Sequence, residues 1–187
     1  MYIQIETGAE LSEEMISVIS DAWRKVFPGH SKLLDETSRE VYQDHVFFLL
    51  FDDEDQLLGT IRLYSNIELE FEGKVVPVYG LADMMTVTHG QGHGKVLVDA
   101  FIRYYNNLPD ASQPAIGFCE KENSSFYLKC GLAIAESAGG KFEYRGDEKK
   151  PWDMSGCDVV YYPGSSEFMR KLVNGDEKVF TGLAYYW

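Results

Sequence analysis

Gly80-Leu81-Ala82-Asp83-Met84-Met85-Thr86-Val87-Thr88-His89-Gly90-Gln91-Gly92-His93-Gly94-Lys95 is the stretch that decides the fold of this chain. It opens as an apolar, strand-like run carrying one acid, Asp83. It then passes through three spaced glycines into a helical stripe of Val96, Leu97, Ala100, Phe101 and Tyr104. A strand that enters a helix through glycines exposes the first free N–H groups and the positive end of the helix dipole. No side chain keeps an anion at a distance there, which is the chemistry of a phosphate cradle. The spacing excludes two nucleotide motifs. A P-loop would place Gly at His89 and Ser or Thr at Val96, and the dinucleotide fingerprint Gly-x-Gly-x-x-Gly is replaced by Gly-x-Gly-x-Gly.

Before this stretch, residues 2–6 alternate as a strand, with Ile3 and Ile5 on one face. Ser12 is a suitable N-cap, and Glu13 and Glu14 suit the first turn of a helix. Met15, Ile16, Ile19, Ala22, Trp23 and Val26 form its apolar stripe, which ends near Pro28-Gly29. A short helix is expected over 37–44. Val46–Phe51 is a continuous apolar run, read as a buried strand, and Asp52-Asp53-Glu54-Asp55 as a solvated hairpin turn. Ile61, Leu63, Ile67, Leu69 and Phe71 alternate with Arg62, Tyr64, Asn66, Glu68 and Glu70, predicting a long strand with one wet face. Glu72-Gly73-Lys74 turns the chain into a further strand over 75–88.

Beyond the glycines, 114–119 predicts a strand and 122–130 a helix closed by Gly131. Val159, Val160 and Tyr161 predict a late strand, and 165–173 one more helix. Early hairpins followed by a strand-loop-helix-strand crossover predict an α/β three-layer fold with a mixed, mostly antiparallel central sheet flanked by helices. With no repeat, linker or low-complexity segment, 1–187 reads as a single domain, as its 187 residues allow.

Composition narrows the function. Thirty acidic residues against seventeen basic ones leave a net charge of −13, which repels nucleic acid and anionic membranes and attracts cations. No apolar run is long enough to span a bilayer, and the first residues lack a signal-peptide pattern, so a cytoplasmic protein is expected. Cys119, Cys130 and Cys157 are scattered, which predicts neither disulfides nor a zinc site. His30, His45, His89 and His93 lack metal-ligand spacing, so no metal is expected.

The segment His89-Gly90-Gln91-Gly92-His93-Gly94-Lys95 resembles the acetyl-CoA pyrophosphate loop of the GNAT N-acyltransferase superfamily, Arg/Gln-x-x-Gly-x-Gly/Ala. Downstream, Asn123-Ser124-Ser125-Phe126-Tyr127-Leu128-Lys129-Cys130-Gly131-Leu132 is similar to the family helix that ends in Tyr-x-x-x-Gly-Phe. His89 stands where the family has Arg or Gln, the turn before it is shorter than usual, and Glu120 replaces a frequent Asn. Within the superfamily, the run from Gly80 to Thr88, the segment Pro151-Trp152-Asp153-Met154-Ser155-Gly156 and the final Trp187 resemble the aminoglycoside 2′-N-acetyltransferases.

The resemblance implies acetyl-CoA as co-substrate, held by Met85, Thr86, Val87, His89, Gly90, Gln91, Gly92, His93, Gly94, Lys95 and Asn123. It implies a primary amine acceptor, such as an amino sugar or polyamine, that attacks the thioester directly in a ternary complex. An amine of pKa about 10.4 must lose a proton at pH 7, at a cost of roughly 4 kcal/mol, so a nearby base helps. Asp83 is the candidate base, with structural or substrate-binding roles as the alternatives. Backbone N–H groups of Met85, Thr86 and Val87 are candidate donors to the thioester oxygen. Tyr127 is the candidate acid for the leaving thiolate, and the α-carboxylate of Trp187 a second acid. Asp35, Glu36 and Asp153 are candidate contacts for a cationic acceptor. A small-molecule amine is the expected partner, and a homodimer the assembly considered. A catalytically silent acyl-CoA-binding module and an acetyltransferase of basic peptides are the alternatives.

Overall fold

The computed structural model describes residues 1–27, 42–145 and 153–182. The chain forms two compact units, Met1–Tyr64 with Asp83–Leu108, and Ser65–Ala82 with Pro109–Trp187.

The first unit contains β1 (Tyr2–Thr7), α1 (Glu13–Val26), β2 (Val46–Phe51), the start of β3 (Leu57–Phe71), the end of β4 (Lys74–Thr86) and α2 (His93–Tyr105). β1, β2 and β3 pair antiparallel, in register Gln4 to Leu49 and Phe48 to Ile61. Alternation in β2 sends Phe47, Leu49 and Phe51 into a cluster with Ile19 and Ala22 of α1, Leu11, Leu57 and Met85. On the other face Phe48 meets the rings of Phe101 and Tyr104 of α2 at 6.3 and 5.3 Å. A strand covered on both faces must be apolar throughout, and so the VFFLLF run has no polar alternation. The helix–sheet–helix layering expected from the sequence is present here. Ser12 caps α1 by accepting the Met15 N–H at 3.1 Å, as its sequence predicts. Asp52 shapes the acidic hairpin by accepting the N–H groups of Glu54 and Gln56, both at 2.9 Å.

In the second unit β3 turns into β4 through Glu72 and Gly73, both left-handed (φ 51° and 70°), the geometry that matches strand twist in a two-residue hairpin. There follow β5 (Ala115–Cys119), a 3-10 turn (Lys121–Asn123), α3 (Ser124–Lys129) and β6 (Ala133–Ala135). A second 3-10 turn (Ala138–Lys141), β7 (Phe142–Tyr144), β8 (Asp158–Tyr162), α4 (Glu167–Asn174) and β9 (Val179–Thr181) complete it. Its strands hydrogen-bond in the orders β4-β5-β8-β6 and β3-β9-β7. The β4–β5 and β7–β9 pairs are parallel and the others antiparallel. At Gly117 the strands are so close that a Cβ would stand 2.3 Å from the Leu81 carbonyl oxygen and 3.2 Å from Val160 Cγ1. Lys141 closes α4 from outside the helix, its Nζ donating to the carbonyls of Leu172 and Gly175 at 2.6 Å and of Val173 at 3.3 Å.

Three expectations need adjustment. The helix expected over 122–130 begins as the 3-10 turn, and only Ser124–Lys129 is α-helical. Arg62, assigned by alternation to a wet face, is 3% exposed. β6, β7 and β9 had no sequence counterpart, because three residues are too few to show a period. The expected helix over 37–44 falls mostly outside the described residues. All three cysteines are free. Among the described residues, no helix is long and apolar enough to cross a membrane.

Candidate functional site

Gly90 and Gly92 both adopt left-handed backbone (φ 79° and 80°), a conformation that costs other residues energy. Gly92 caps α2 with no side-chain hydrogen bond, and no acid occupies the first turn. The first helical bonds run from Lys95 N and Val96 N to the Gly92 carbonyl, at 3.1 and 3.3 Å. Among the described residues, the amides of positions 90–94 donate to no backbone carbonyl. A Cβ at Gly90 or Gly92 would meet nothing within 4 Å. The loop is therefore an uncapped, positively polarised helix start with open space before it, which fits a pyrophosphate. His89 and Gln91 are exposed, while His93 is half-buried with Nδ1 unpartnered among the described residues. Lys95 is exposed, its Nζ paired with Asp99 at 2.8 Å one turn along the helix.

Upstream on β4, Asp83 is the strand's one non-glycine residue with left-handed backbone (φ 52°). Its carboxylate forms an ion pair with Arg62 of β3. The Arg62 guanidinium lies over the Tyr42 ring at 4.3 Å, with the Phe47 ring at 5.9 Å. His45 packs beside Tyr42 and Tyr64, with ring centroids 5.1 and 3.8 Å away, and both its ring nitrogens are buried and unpartnered among the described residues. Burial, reinforced by the charge of Arg62, pushes its pKa down to about 3. His45 is therefore neutral at working pH, and Arg62 is a cation that faces Asp83.

Met85 is buried in the α1 cluster, and Val87 is exposed with its N–H donated to the Leu58 carbonyl at 2.9 Å. Successive strand amides point to opposite edges. Val87 and Met85 therefore face β3, and Thr86 is the one of the three whose N–H faces away from it. The sequence missed Arg62, Tyr42 and His45. The available signal was a lone base in β3 and a lone acid in 75–88, opposite charges in neighbouring apolar strands.

In the second unit, Asn123 is exposed at the junction of the 3-10 turn and α3, and Tyr127 lies mid-helix and half-buried. Burial, with Cys119 and Cys130 alongside, pushes the Tyr127 phenol above its ordinary pKa, so it keeps its proton. Gly131, left-handed at φ 91°, ends the helix as its sequence predicts, and the Leu132 N–H reaches back to the Tyr127 carbonyl at 3.1 Å.

The start of α3 is fastened by Asp158. Its Oδ2 accepts the Ser124 hydroxyl at 2.6 Å and its Oδ1 the Ser137 N–H at 2.7 Å, while Cys119 Sγ lies 3.6 Å from Ser124 Oγ. The Ser124 hydroxyl, then the Ser137 N–H, hold the Asp158 carboxyl below its usual pKa. A carboxyl more acidic in the folded state stabilises it above the unfolded pKa of about 3.9, and that stabilisation fades as pH falls through the folded value. Asp158→Asn is expected to cost about 1–3 kcal/mol at pH 7, and less against wild type at pH 3, measured by denaturant unfolding at both. An equal loss at the two pH values would contradict this account.

Asp153 is exposed and accepts the Ser155 N–H at 2.9 Å, which with the Ser155 side chain lowers its pKa. That is a local turn contact. Asp35, Glu36 and Trp187 lie outside the described residues, as do Pro151 and Trp152.

No family model matches the sequence, and no curated protein does. Solved structures do resemble it. A GNAT family N-acetyltransferase, YhbS from Escherichia coli in complex with CoA, aligns over 96% of this chain and 88% of its own, with 17% identity and a TM-score of 0.58. An acyl-CoA N-acyltransferase from Pseudomonas aeruginosa aligns over 86% and 97%, with 13% identity and a TM-score of 0.56. The N-acetyltransferase PseH from Campylobacter jejuni, in complex with acetyl coenzyme A, aligns over 88% and 100%, with 19% identity and a TM-score of 0.51.

Proposed function

With its fold established as that of the GNAT N-acyltransferases, we propose that this protein is an acetyl-CoA-dependent N-acetyltransferase acting as one domain on a small cationic amine. The observation that carries this reading is the loop at Gly90 to Gly94, with its unbonded amides, two left-handed glycines and open space. Amides 90–94 hold the pyrophosphate, flanked by His89 and Lys95, and Asn123 contributes a further polar contact. Acetyl-CoA supplies an activated acyl group as a thioester. The acceptor's ammonium is drawn to a strongly acidic protein, and Asp83 takes its proton directly or through water. The neutral amine attacks the carbonyl carbon, and the Thr86 N–H stabilises the charge that grows on oxygen. As the C–S bond breaks, Tyr127 gives a proton to the departing sulfur, and the extra proton on nitrogen leaves through water, which restores the phenol. Asp35, Glu36 and Asp153 bind the rest of the cation. The protein acts in the cytoplasm, and a homodimer is its assembly.

Thiol release from acetyl-CoA with spermidine, kanamycin or a lysine-rich peptide tests the reaction. Preference for the small amines over the peptide is expected, and the reverse preference would replace a small acceptor with a protein one. Acetyl-CoA at one hundred times its Kd should stabilise the fold by about 2.7 kcal/mol. Gly92→Val is expected to abolish most of that stabilisation, because its side chain fills the space before the helix. Left-handed backbone alone should cost this variant about 1–2 kcal/mol without ligand. Equal stabilisation of both proteins would remove the loop from the site. A protein stabilised by acetyl-CoA yet inert to all three amines would be a silent binding module.

A further inference from the structure

We propose that Arg62 is a positioning residue that fixes the Asp83 carboxylate in one direction, so that the acceptor's ammonium meets a preorganised anion. This rests on the acetyltransfer reading above and assigns to Arg62 a role that the sequence does not suggest.

Arg62 is 3% exposed, and its guanidinium is held between the Asp83 carboxylate and the rings of Tyr42 and Phe47. Burying a charge is costly, and pairing it only roughly offsets that cost. Two well-packed apolar residues would stabilise the same place as well or better. Stability alone therefore gives no reason for a buried ion pair between two apolar strands. Arginine suits the task because its planar fork stacks on aromatic faces while presenting N–H groups in fixed directions.

The backbone imposes a second constraint. Asp83 sits at φ 52°, which interrupts the regular alternation of β4 and re-aims its side chain. Aspartate and asparagine are among the few side chains that tolerate this conformation. The left-handed backbone and the buried guanidinium together fix where the charge lies. A misplacement of about 1 Å at a reacting group can cost roughly a hundredfold in rate, which is the scale of benefit such fixing gives.

The test is a double-mutant cycle with Arg62→Lys and Asp83→Asn, using the fastest amine of spermidine, kanamycin and the peptide. Lysine keeps the charge but loses the fork and the stacking; asparagine keeps the shape and the tolerance of left-handed backbone. Arg62→Lys is expected to lower kcat about tenfold with the KM for acetyl-CoA unchanged. In the Asp83→Asn background it should have almost no further effect on kcat, because a positioning residue acts only through what it positions. Equal losses in the two backgrounds would overturn the assignment. Should Asp83→Asn fail to fold, Arg62→Lys alone decides: a lower melting temperature with unchanged kcat means a structural role and overturns it. Wild-type protein that releases no thiol with any of the three amines ends the acetyltransfer reading first, and this role with it. That failure is distinct from an active wild type with additive variants.

Discussion

Asp83→Asn is expected to reduce kcat for amine acetylation by about 10²–10⁴-fold at pH 7 while acetyl-CoA still stabilises the folded protein. The substitution changes one oxygen to an amide nitrogen and keeps a residue type that accepts φ 52°. The left-handed backbone of β4 is then tolerated. What disappears is the carboxylate's charge, as a proton acceptor and as the partner of the buried Arg62, so kcat is compared on protein shown to be folded. Losing the proton acceptor matters most where the amine is protonated. Deprotonation costs roughly 4 kcal/mol at pH 7 and nothing once pH reaches the amine's own pKa of about 10.4. The gap between wild type and variant should therefore narrow as pH rises, and rate profiles from pH 6.5 to 10 measure it. A gap of constant size would make Asp83 a holder of substrate and not its base.

Gly117→Val should give the largest loss of stability. A Cβ there would stand 2.3 Å from the Leu81 carbonyl oxygen, a backbone atom that cannot rotate away, and 3.2 Å from Val160 Cγ1. Overpacking of this kind costs about 3 kcal/mol or more when the neighbours cannot yield. For a chain of this size that is a fall in melting temperature of about 6–12 °C. Gly73→Ala is the control. Its backbone is left-handed (φ 70°) but a Cβ there meets nothing within 4 Å, so only the conformational cost of about 1–2 kcal/mol applies. If the two variants melt together, the close approach at Gly117 is not what holds these strands.

The parts of the fold legible in the sequence are those whose periodicity runs for several turns or residues. α1 carried its cap, its acidic first turn and its stripe in plain view, and the unbroken VFFLLF run signalled a strand covered twice. The stripe read for α2 held at Leu97, Ala100 and Phe101, while Val98 and Tyr105 widen it. The glycine loop was legible because glycine enters left-handed backbone without the cost other residues bear, and three of them cluster between a strand and a helix. The buried partner of Asp83 was not. Alternation says which side of a strand a residue faces, but not what covers that side, so Arg62 read as solvated. Asp158 was equally hidden, since its partners Ser124 and Ser137 come from chain segments that only folding brings to it.

Lys141 bears on how far the end of this chain can fold by itself. Most helices stop on a glycine or a local bond and can finish on their own. α4 also ends at Gly175, whose N–H bonds the Lys171 carbonyl at 2.8 Å, but its carbonyls at Leu172 and Val173 accept from an ammonium about thirty residues earlier in sequence. At eight residues α4 is too short to persist alone in water. A peptide of 165–176 should therefore be nearly unstructured by circular dichroism. One lysine ties the end of a short helix to a distant turn, and couples the two into a single cooperative unit.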